Sequence, residues 1–376
     1  MVKIASRCNL NCTYCYVYNM GDDRWMSRPA IMEQRVQEAM LKRIATHCTQ
    51  HEVKHFEFIF HGGEPMLAGQ QAIGGFVEQA RAALAPEVEC SFAIQTNGVL
   101  LNDDWCQLMR KLDIRIGISM DATRDSHDRQ RIDHMARGSF ERVRAGFRQA
   151  QAAGLAPGLL AVLDLAVEPA EAYRNLCELQ PRVVDFLLPQ ATWDAPPPRT
   201  LPTPYVDWLL ALFDLWSVEE QPAFRVRVFD KIIGAVLGFP RPSDALGMGV
   251  NATLVVETDG SIEAVDVLRV CENGITARGF NVLTDTLDEA MADQLAQAYY
   301  FAAERLCPTC RQCPVRDICA GGYLPHRYAR ANGFDNPSVY CADLQRLIAA
   351  IQSWTVRQLP GSLADEAGLR PLLAEA

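Results

Sequence analysis

Short apolar runs alternate with amphipathic stretches over about the first 190 residues of the chain. The stretches AIMEQRVQEAMLKRIATHC and SFERVRAGFRQAQAA place apolar residues three and four positions apart, which predicts helices. Strands that alternate with helices predict βαβ units around a parallel sheet, so the fold class is α/β. Six units are fewer than the eight of a closed barrel, and we therefore expect a partial barrel. The predicted strands are Val2–Ser6, Phe56–Phe60, Cys90–Gln95, Arg115–Ser119, Leu159–Asp164 and Val183–Leu188.

The pattern changes at the proline-rich segment DAPPPRTLPTP, around residues 194–204, which predicts an extended connector. Two segments with the apolar spacing of helices follow, YVDWLLALFDLW and VFDKIIGAVLGF. The next segment, TLVVETDGSIEAVD, predicts a β-hairpin that turns at Asp259–Gly260. A cysteine-rich segment comes next, and a helix from about Cys341 and a polar tail end the chain. The predicted domains are a barrel over 1–200, a helical bridging region over 201–250, a cysteine-rich domain over 251–345 and a helix with tail over 346–376.

Composition and charge narrow the function classes. A chain of 376 residues exceeds the usual size of one core, which agrees with a large domain and a smaller one. The net charge of −10 argues against nucleic acid as the main partner, because phosphate binding depends on surplus Lys and Arg. We find no apolar run of transmembrane length and no signal peptide, so we expect a cytoplasmic protein with no membrane partner.

The thirteen cysteines are unevenly distributed. Three lie within residues 8–15 and five within residues 307–341. Tight clusters in a chain without a signal peptide indicate metal or iron–sulfur sites rather than disulfides. The isolated cysteines read most simply as small buried hydrophobes; they are Cys48, Cys90, Cys106 and Cys177.

The first cluster has the form CxxxCxxC and directly follows the first predicted strand. Cys8, Cys12 and Cys15 supply three thiolates, which can bind three irons of a cubane and leave the fourth iron open to an outside ligand. A structural zinc site wants four protein ligands, and His61 or a distant cysteine would have to complete it. The odd number of cysteines favours the iron–sulfur cluster.

Three further motifs follow successive predicted strands. HGGEP begins at His61, QTNG spans 95–98 and SMD spans 119–121. Each alone is weak evidence, because GG and NG pairs also mark turns and Ser or Asp also caps helices. Together with the cysteine cluster, the three motifs occur in order, each at the end of a predicted strand, where barrel enzymes keep their active sites. In this arrangement the chain resembles the radical S-adenosylmethionine (SAM) family.

The resemblance implies a [4Fe–4S] cluster whose open iron is chelated by SAM, and a 5′-deoxyadenosyl radical formed from it. It implies that the Gly62–Gly63 backbone approaches the SAM amine and that Glu64 accepts a hydrogen bond from that amine. Tyr14 matches an aromatic residue that packs near the adenine. The positions on the ribose side are Thr96, Asn97, Ser119 and Asp121.

The C-terminal cysteines resemble the SPASM domain, an auxiliary-cluster module of radical SAM enzymes that modify peptides or proteins. A zinc ribbon is the alternative, because C-x2-C pairs also favour zinc. Tyr323 and Val265 stand where a second auxiliary cluster would need cysteines. We therefore expect that second cluster to be absent, or rebuilt around Cys271 and Cys307. The pattern implies one auxiliary [4Fe–4S] cluster on Cys310, Cys313, Cys319 and Cys341.

One carboxylate is singled out by the same resemblance. Asp266 matches an Asp of SPASM sulfatase maturases that takes a proton from the substrate, although it also reads as a solvated hairpin residue. Over nearly the whole chain the sequence is similar to FxsB-type SPASM peptide maturases. The segments that carry this are CYVYNMGDDRW, HDRQR, LLPQATWDAPPPR, VETDGSIEAVD and AGGYLPHRYARANGFDNPSVYCADL.

This similarity implies a ribosomal precursor peptide as substrate, and an intramolecular carbon–carbon cross-link (a cyclophane) between an aromatic ring and a nearby side chain as product. It also implies an external electron donor of ferredoxin or flavodoxin type. Thioether formation and epimerisation, with Cys271 or Cys307 as hydrogen donor, remain alternatives. A sulfatase maturase is less favoured because its second auxiliary cluster is missing. Outside enzymes, an iron–sulfur electron carrier is the alternative, but a carrier needs no SAM pocket.

Recognition of the precursor has no obvious module in this sequence. A leader-binding domain of winged-helix type is not expected, because the chain begins at the first barrel strand. One basic and aromatic segment is a candidate peptide surface, with a solvated helix face as its alternative. Its residues are His326, Arg327, Tyr328 and Arg330.

Overall fold

The computed structural model describes residues 1–84, 86–198, 201–240 and 242–360. They form two compact units, Met1–Ala161 with Thr253–Gln297, and Val162–Ala252 with the chain from Ala298 onward. The predicted domain boundaries at 200, 250 and 345 differ from this division. The reason lies in the hairpin segment, whose first strand pairs with the first strand of the chain. Residues 361–376, the predicted tail, lie outside the described residues, as do Arg199 and Thr200 of the proline-rich connector.

All six predicted parallel strands form, within one or two residues of the predicted ends. Their apolar, β-branched and aromatic residues suit a sheet that is covered on its faces. The predicted hairpin also forms, although each of its strands is short. The strands are β1 (Val2–Ala5), β2 (His55–Gly62), β3 (Glu89–Thr96), β4 (Ile114–Ser119), β5 (Gly158–Val162), β6 (Val183–Leu187), β7 (Arg225–Val226), β8 (Val255–Val256) and β9 (Ile262–Glu263).

The helical stretches predicted from three- and four-residue spacing form as well. Several short helices of the cysteine-rich region were not predicted, because their sequences have no amphipathic period. The helices are α1 (Gln34–Gln50), α2 (Gln70–Leu84), α3 (Asp103–Leu112), α4 (Arg124–Gln130), α5 (Phe140–Ala152), α6 (Pro169–Leu179), α7 (Pro204–Ser217), α8 (Arg227–Val236), α9 (Leu287–Met291), α10 (Gln294–Tyr300), α11 (Pro308–Arg311), α12 (Arg316–Cys319) and α13 (Cys341–Gln358).

The first unit is built on a sheet in the order β5-β4-β3-β2-β1-β8-β9. Strands β1 to β5 are parallel, with Val2 opposite Phe60 and Phe92 opposite Ile114. Strand β8 joins β1 in parallel through Val256, and β9 is antiparallel to β8. The carboxyl ends of the parallel strands therefore lie along one edge of the sheet, which is where such folds keep their sites.

Aromatic residues fill the core of the first unit. Phe58 and Phe92 stack at 5.4 Å between ring centroids, on neighbouring strands. Phe76 of α2 meets Phe58 and Phe60 edge-on. All four rings are almost fully buried. Each such ring contributes about 3–5 kcal/mol to stability when truncation to alanine is the reference, so this core fixes the strands that end in the site.

The second unit has an aromatic core of its own. Phe213 of α7 packs against Phe229 of α8 and Trp354 of α13, with ring centroids 5.0 and 5.3 Å away. The Asp343 carboxylate accepts a hydrogen bond from the Val206 amide at 3.1 Å, which ties the first turn of α13 to that of α7. Helix α13, which Cys341 begins, is therefore fixed along its length.

No helix in the described part of the chain is both long enough and apolar enough to cross a bilayer.

Candidate active site

The three N-terminal cysteines lie on a tight loop directly after β1. The Cys15 amide donates to the Cys12 carbonyl at 3.0 Å, and the Asn19 amide donates to the Cys15 carbonyl at 2.8 Å. The Cys8 sulfur accepts from the Leu10 amide at 3.4 Å and from the Asn97 side-chain amide at 3.6 Å. These N–H groups would stabilise a thiolate on Cys8.

The Gly62–Gly63 pair lets the end of β2 approach this loop closely. A Cβ on Gly62 would lie 2.0 Å from the Ala5 carbonyl oxygen, and one on Gly63 would lie 1.9 Å from the Tyr18 hydroxyl. Gly62 also has a φ of +142°, which side chains rarely adopt. The amide of Gly63 donates to the Ala5 carbonyl at 3.0 Å. The glycines are thus required by the contact between the two strand ends, a reason beyond the expected approach to SAM.

Glu64 is fully buried, and its carboxylate is held by three donors. Oε1 accepts from the Thr96 hydroxyl at 2.8 Å and from the Met66 amide at 3.0 Å, and Oε2 accepts from the Asn97 amide at 2.8 Å. Burial raises the pKa of Glu64 to about 7, against these three donors, which lower it. The HGGEP and QTNG motifs therefore meet through one carboxylate at the carboxyl ends of β2 and β3.

Asp121, after β4, is bound to both Tyr14 and Arg131. Its Oδ2 accepts from the Tyr14 hydroxyl at 2.6 Å and from the Arg131 Nε at 3.2 Å. The Arg131 guanidinium also lies over the Tyr14 ring, 5.3 Å from its centroid. Ser119 accepts from the Gln95 side chain at 2.9 Å. The predicted ribose and adenine residues are therefore linked to the cysteine loop by the Tyr14–Asp121 hydrogen bond.

Asp266 is buried, which contradicts its reading as a solvated hairpin residue; it is 2% exposed. It forms an ion pair with Lys3 of β1 and accepts from the Tyr16 hydroxyl at 2.8 Å. The His61 Nδ1 lies 3.1 Å from the Lys3 amine. Burial alone would raise the pKa of Asp266, but Lys3, with His61 and Arg269, holds it well below its usual range. An ionised carboxylate therefore lies beside the residue that follows Cys15.

A second group of buried charges supports the segment that carries Asp266. Arg269 forms ion pairs with Glu257 and Glu263 on the two arms of the hairpin, at 2.5 and 2.7 Å. Arg28 reaches the same two carboxylates at 3.1 and 2.6 Å. All four side chains are almost completely buried. Removal of one partner from such a network costs about 3–5 kcal/mol, so the hairpin is firmly placed.

The cysteine loop fits a multi-iron cluster better than one zinc ion. A structural zinc site is normally closed by four protein ligands, whereas this loop supplies three thiolates, from Cys8, Cys12 and Cys15. His61, the suggested fourth zinc ligand, contacts Lys3 instead. Burial raises the pKa of the Cys8 thiol to about 12 and that of Cys12 to about 11, so a bound metal must displace these protons.

The four predicted auxiliary-cluster cysteines line one pocket of the second unit. The Gln345 side-chain amide donates to the Cys313 sulfur at 3.3 Å. Four thiols around one pocket are the number of protein ligands that a complete [4Fe–4S] cluster takes. The cysteines that line it are Cys310, Cys313, Cys319 and Cys341.

Two further residues of this unit belong to the same surroundings. Burial, and after it a hydrogen bond with the buried Cys307 thiol, raises the pKa of Cys310 to about 12. The Arg327 guanidinium is 1% exposed and donates to the backbone carbonyls of Ala302 and Phe334, at 2.8 and 3.3 Å. Burial lowers the pKa of Arg327, and negative charge on the nearby Cys310, Cys307 and Cys319 sulfurs acts in the opposite direction. A buried cation beside thiolate ligands would offset their negative charge.

The candidate peptide surface is corrected by the structure. His326 is 4% exposed, and its ring packs edge-on against Tyr340 at 4.9 Å between centroids. Arg327 and Tyr328 are buried too, and only Arg330 of this segment faces solvent. Neither a peptide surface nor a solvated helix face is correct, because the segment packs into the second unit. Of the isolated cysteines, Cys48 and Cys106 are buried as expected, whereas Cys90 and Cys177 are half-buried. The thirteen cysteines all lie in the described part of the chain, and no disulfide joins any of them.

Sequence reasoning missed three residues that hold the site together. Lys3 lies inside an apolar strand, where a buried charge is unusual and could have signalled a partner. Tyr16 and Arg131 belong to the CYVYNMGDDRW and HDRQR segments, but their sequence positions do not reveal their hydrogen-bond partners. By contrast, the motifs after β2, β3 and β4 lie together as predicted, since parallel strands end at the same edge.

Comparison with known proteins agrees with this geometry. The model of the Radical SAM superfamily matches residues 2–167. A cysteine-type anaerobic sulfatase-maturating enzyme of Clostridium novyi (strain NT) is 24% identical over 345 residues, 90% of each chain. A serine-type anaerobic sulfatase-maturating enzyme of Klebsiella aerogenes is 26% identical over 342 residues, 88% of this chain and 80% of that one.

The solved structures give the same fold. Native anSMEcpe with bound AdoMet superposes with a TM-score of 0.82 at 22% identity, covering 95% of this chain and 98% of that one. The same protein has been solved with bound AdoMet and the Cp18Cys peptide, and also has a TM-score of 0.82. The predicted α/β fold, a partial (β/α)6 TIM barrel with a further domain, is thereby confirmed. The chain is therefore an enzyme whose residues 2–167 match the Radical SAM superfamily, and over about nine-tenths of its length it is similar to an anaerobic sulfatase-maturating enzyme.

Proposed function

We propose that this enzyme joins an aromatic ring carbon to a nearby side-chain carbon within a ribosomal precursor peptide, which forms a cyclophane. The observation that carries the proposal is the Asp266 carboxylate, ionised, buried and hydrogen bonded to the Tyr16 hydroxyl one residue after Cys15. Ring coupling needs a base to remove the ring proton once the new bond has formed. The relatives that act on sulfatases, and the solved structure with a bound peptide, support a peptide substrate.

The chain's own residues supply two cluster sites and a SAM site. Cys8, Cys12 and Cys15 would hold the cluster that binds SAM, and the pocket cysteines of the second unit would hold the auxiliary [4Fe–4S] cluster. When bound, SAM would supply a 5′-deoxyadenosyl radical and the auxiliary cluster an electron acceptor. Glu64, with Gly62 and Gly63 beside it, would bind the amine of SAM. Tyr14 would lie on the adenine side, and the ribose side would be formed by Thr96, Asn97, Ser119 and Asp121.

The reaction balances as a two-electron oxidation of the peptide. One hydrogen atom leaves the side-chain carbon and becomes part of 5′-deoxyadenosine. The resulting carbon radical adds to the aromatic ring and forms the new carbon–carbon bond. The ring then loses one proton and one electron, and Asp266 accepts the proton. A ferredoxin- or flavodoxin-type donor provides the electron that starts each turnover.

The ion pair with Lys3 keeps Asp266 in its charged form. A depressed pKa makes a carboxylate a weak base towards ordinary groups, but the proton of an oxidised ring adduct is strongly acidic and does not need a strong base. The Lys3 ammonium also compensates the buried negative charge before the proton arrives. Tyr16 fixes the direction of the carboxylate.

The proposal is tested by the mass of the small peptide encoded beside this gene after anaerobic co-expression with the enzyme. A loss of two hydrogens, and fragmentation that stops across a short segment with an aromatic residue, is the expected result. Thiol labelling separates this product from a thioether. An unchanged mass with deuterium uptake from heavy water would mean epimerisation and would overturn the proposal.

Side-chain oxidation is a second candidate because the relatives include serine- and cysteine-type sulfatase-maturating enzymes. Oxidation of a serine to an aldehyde also removes two hydrogens, so mass alone does not decide. A hydrazide probe reacts with an aldehyde and leaves a carbon–carbon cross-link untouched. A hydrazide-reactive product would contradict the cyclophane and would identify a maturase of the relatives' kind.

A further inference from the structure

We propose that His47, His51 and Asp288 form a binding site for one divalent transition-metal ion, of which Zn²⁺ is the natural candidate. The site lies in the first unit and shares no residue with either cluster site. Its three ligand atoms all lie within 4.8 Å of one another. Two imidazoles with a carboxylate are donors that zinc prefers.

The helix period brings the two histidines to the same face of α1. Residues four apart lie one above the other on a helix, and the imidazole rings are 4.5 Å apart between centroids. The His47 Nδ1 and the His51 Nε2 point at the same oxygen, Asp288 Oδ1, at 2.8 and 2.9 Å. Two His separated by four residues on one helix face is a known zinc-binding arrangement.

The distances suit a metal that replaces the two hydrogen bonds. Tetrahedral zinc with Zn–N and Zn–O bonds of about 2.0–2.1 Å holds neighbouring ligand atoms about 3.3 Å apart. The His–Asp separations need to open by about half an ångström, which rotation of the exposed side chains provides. Within the described chain three ligands converge, so water would take the fourth position.

The carboxylate is presented from a well-anchored helix terminus. Asp288 lies in the first turn of α9, which begins with a capping box between Thr286 and Glu289. The Arg43 guanidinium of α1 donates to the Val282 carbonyl at 3.1 Å, just before that cap. Helix α1 and Asp288 are therefore held in position without the metal, so metal binding would cost little conformational entropy.

The ion can enter from solvent, because the His51 and Asp288 side chains are 53% and 41% exposed. The His47 side chain is 15% exposed and forms the inner wall. A metal here would clamp α1 to the segment Thr253–Gln297, the part of the first unit that also carries Asp266. We therefore assign it a structural role, as a tie between two distant stretches of the chain.

The test is zinc retention by the cluster-loaded enzyme. Wild type and variants are reconstituted with iron and sulfide, incubated with Zn²⁺ under anaerobic conditions, passed through gel filtration and analysed for zinc and iron. We expect one zinc per chain in wild type, and less than about a tenth of that in His51→Ala and in Asp288→Asn. His55→Ala is the matched control, since His55 is equally exposed but belongs to β2.

Iron content and circular dichroism equal to those of wild type show that the variants have folded and hold their clusters. Zinc that stays in wild type and in His51→Ala alike would place it at the cysteines and overturn the proposal. Wild type that loses its zinc on gel filtration would overturn it too. X-ray absorption of the zinc-loaded enzyme gives a second readout, with nitrogen and oxygen neighbours expected and sulfur neighbours contradicting the site.

Discussion

At the scale of single residues, the candidate active site contains several buried ionisable side chains. Lys3 and Asp266 are 1% and 2% exposed and pair with each other, and Glu64 is fully buried among three donors. Buried charges of this kind seldom increase stability over well-packed apolar residues. Their position beside the cysteine loop is the basis for the proposed role of Asp266 as a base.

Asp266→Asn is expected to separate SAM cleavage from peptide modification. The variant should still release 5′-deoxyadenosine, while the modified peptide falls by about 10²–10⁴-fold, the range typical of a lost general base. Lys3 is then left without its partner, which should cost about 3–5 kcal/mol. Product is measured by mass spectrometry and stability by urea unfolding.

The double variant Lys3→Met with Asp266→Leu separates the two effects. It removes both charges, so stability should recover most of that loss while the modified peptide stays absent. Recovery of product in the double variant would show that Asp266 acts through structure alone and would remove it from the reaction.

Arg327→Met is expected to lower the reduction potential of the auxiliary cluster by on the order of 50 mV, because a buried positive charge favours the more negative reduced cluster. Arg327→Lys keeps the charge and should shift the potential less. Redox titration followed by electron paramagnetic resonance measures both, and the SAM-binding cluster serves as an internal reference. An unchanged potential in Arg327→Met, with the cluster intact, would contradict this role.

Individual site residues were predictable where they follow strands. Glu64, Asn97 and Asp121 lie at the ends of β2, β3 and after β4, and their spacing along the chain already places them at one edge. Lys3 and Arg327 could not be placed in this way, because their partners are fixed by tertiary packing. The buried Arg327 guanidinium donates hydrogen bonds to the carbonyl groups of Ala302 and Phe334. No sequence pattern indicates that these carbonyls are available as acceptors.

At the scale of elements, the loop after β1 and the end of β2 form one unit. The Gly62–Gly63 pair permits their close contact, and the amides of Gly63 and Glu64 donate to the carbonyls of Ala5 and Arg7. This contact positions the loop that carries Cys8 before any cluster is bound.

Gly63→Ala is expected to abolish the SAM-binding cluster and leave the auxiliary cluster in place, so that iron falls by about half. The added methyl would lie 1.9 Å from the Tyr18 hydroxyl and 2.4 Å from the Arg7 carbonyl oxygen, and the backbone has no room to yield. Iron analysis measures the loss. Gly75→Ala on α2 is the matched control, because a methyl there meets no atom within 4 Å. Full iron in Gly63→Ala would contradict the steric argument.

His127 in α4 makes the first unit sensitive to acid. Its Nδ1 accepts from the Asp121 amide at 3.3 Å and its Nε2 lies 2.9 Å from the Ser139 hydroxyl, so the neutral ring is the one that fits. Burial lowers the pKa of His127 to about 4, with Arg131 adding to the effect. Because the folded-state pKa lies below the unfolded value of about 6.5, its stability contribution is complete above that value and is lost as pH falls towards 4.

His127→Gln should therefore reduce the pH dependence of stability. Between about pH 7.5 and 5.5, wild type should lose roughly 1 kcal/mol more unfolding free energy than the variant. Urea unfolding of the cluster-loaded proteins at the two pH values measures the difference. Equal losses in both proteins would show that folding does not lower the pKa of His127.

The regular elements were largely predictable and the short ones were not. Apolar residues recur at regular intervals in the strands and the long helices. The helices α1, α5, α7 and α8 therefore form where this spacing predicts them. Helices α11 and α12 span four residues each, and such short turns are fixed by packing around the cysteines rather than by a repeating pattern.

At the scale of the whole molecule, chain order does not equal spatial order. Residues 253–297 pack with the first 161 residues because β8 extends the sheet beside β1, and the helices of 204–236 pack with the chain after residue 298. Linear boundaries drawn from composition cannot reveal this interleaving, since no sequence pattern states which strand β8 will join. Asp266 thereby reaches the cysteine loop, 250 residues before it.

The claim that this enzyme takes hydrogen from a peptide is tested most directly by isotope transfer. The precursor peptide is prepared with deuterium on its aliphatic side chains and treated with the cluster-loaded enzyme, SAM and dithionite. We predict one deuterium in each 5′-deoxyadenosine that accompanies a modified peptide. Release of 5′-deoxyadenosine without deuterium, while the peptide stays unchanged, would contradict the account.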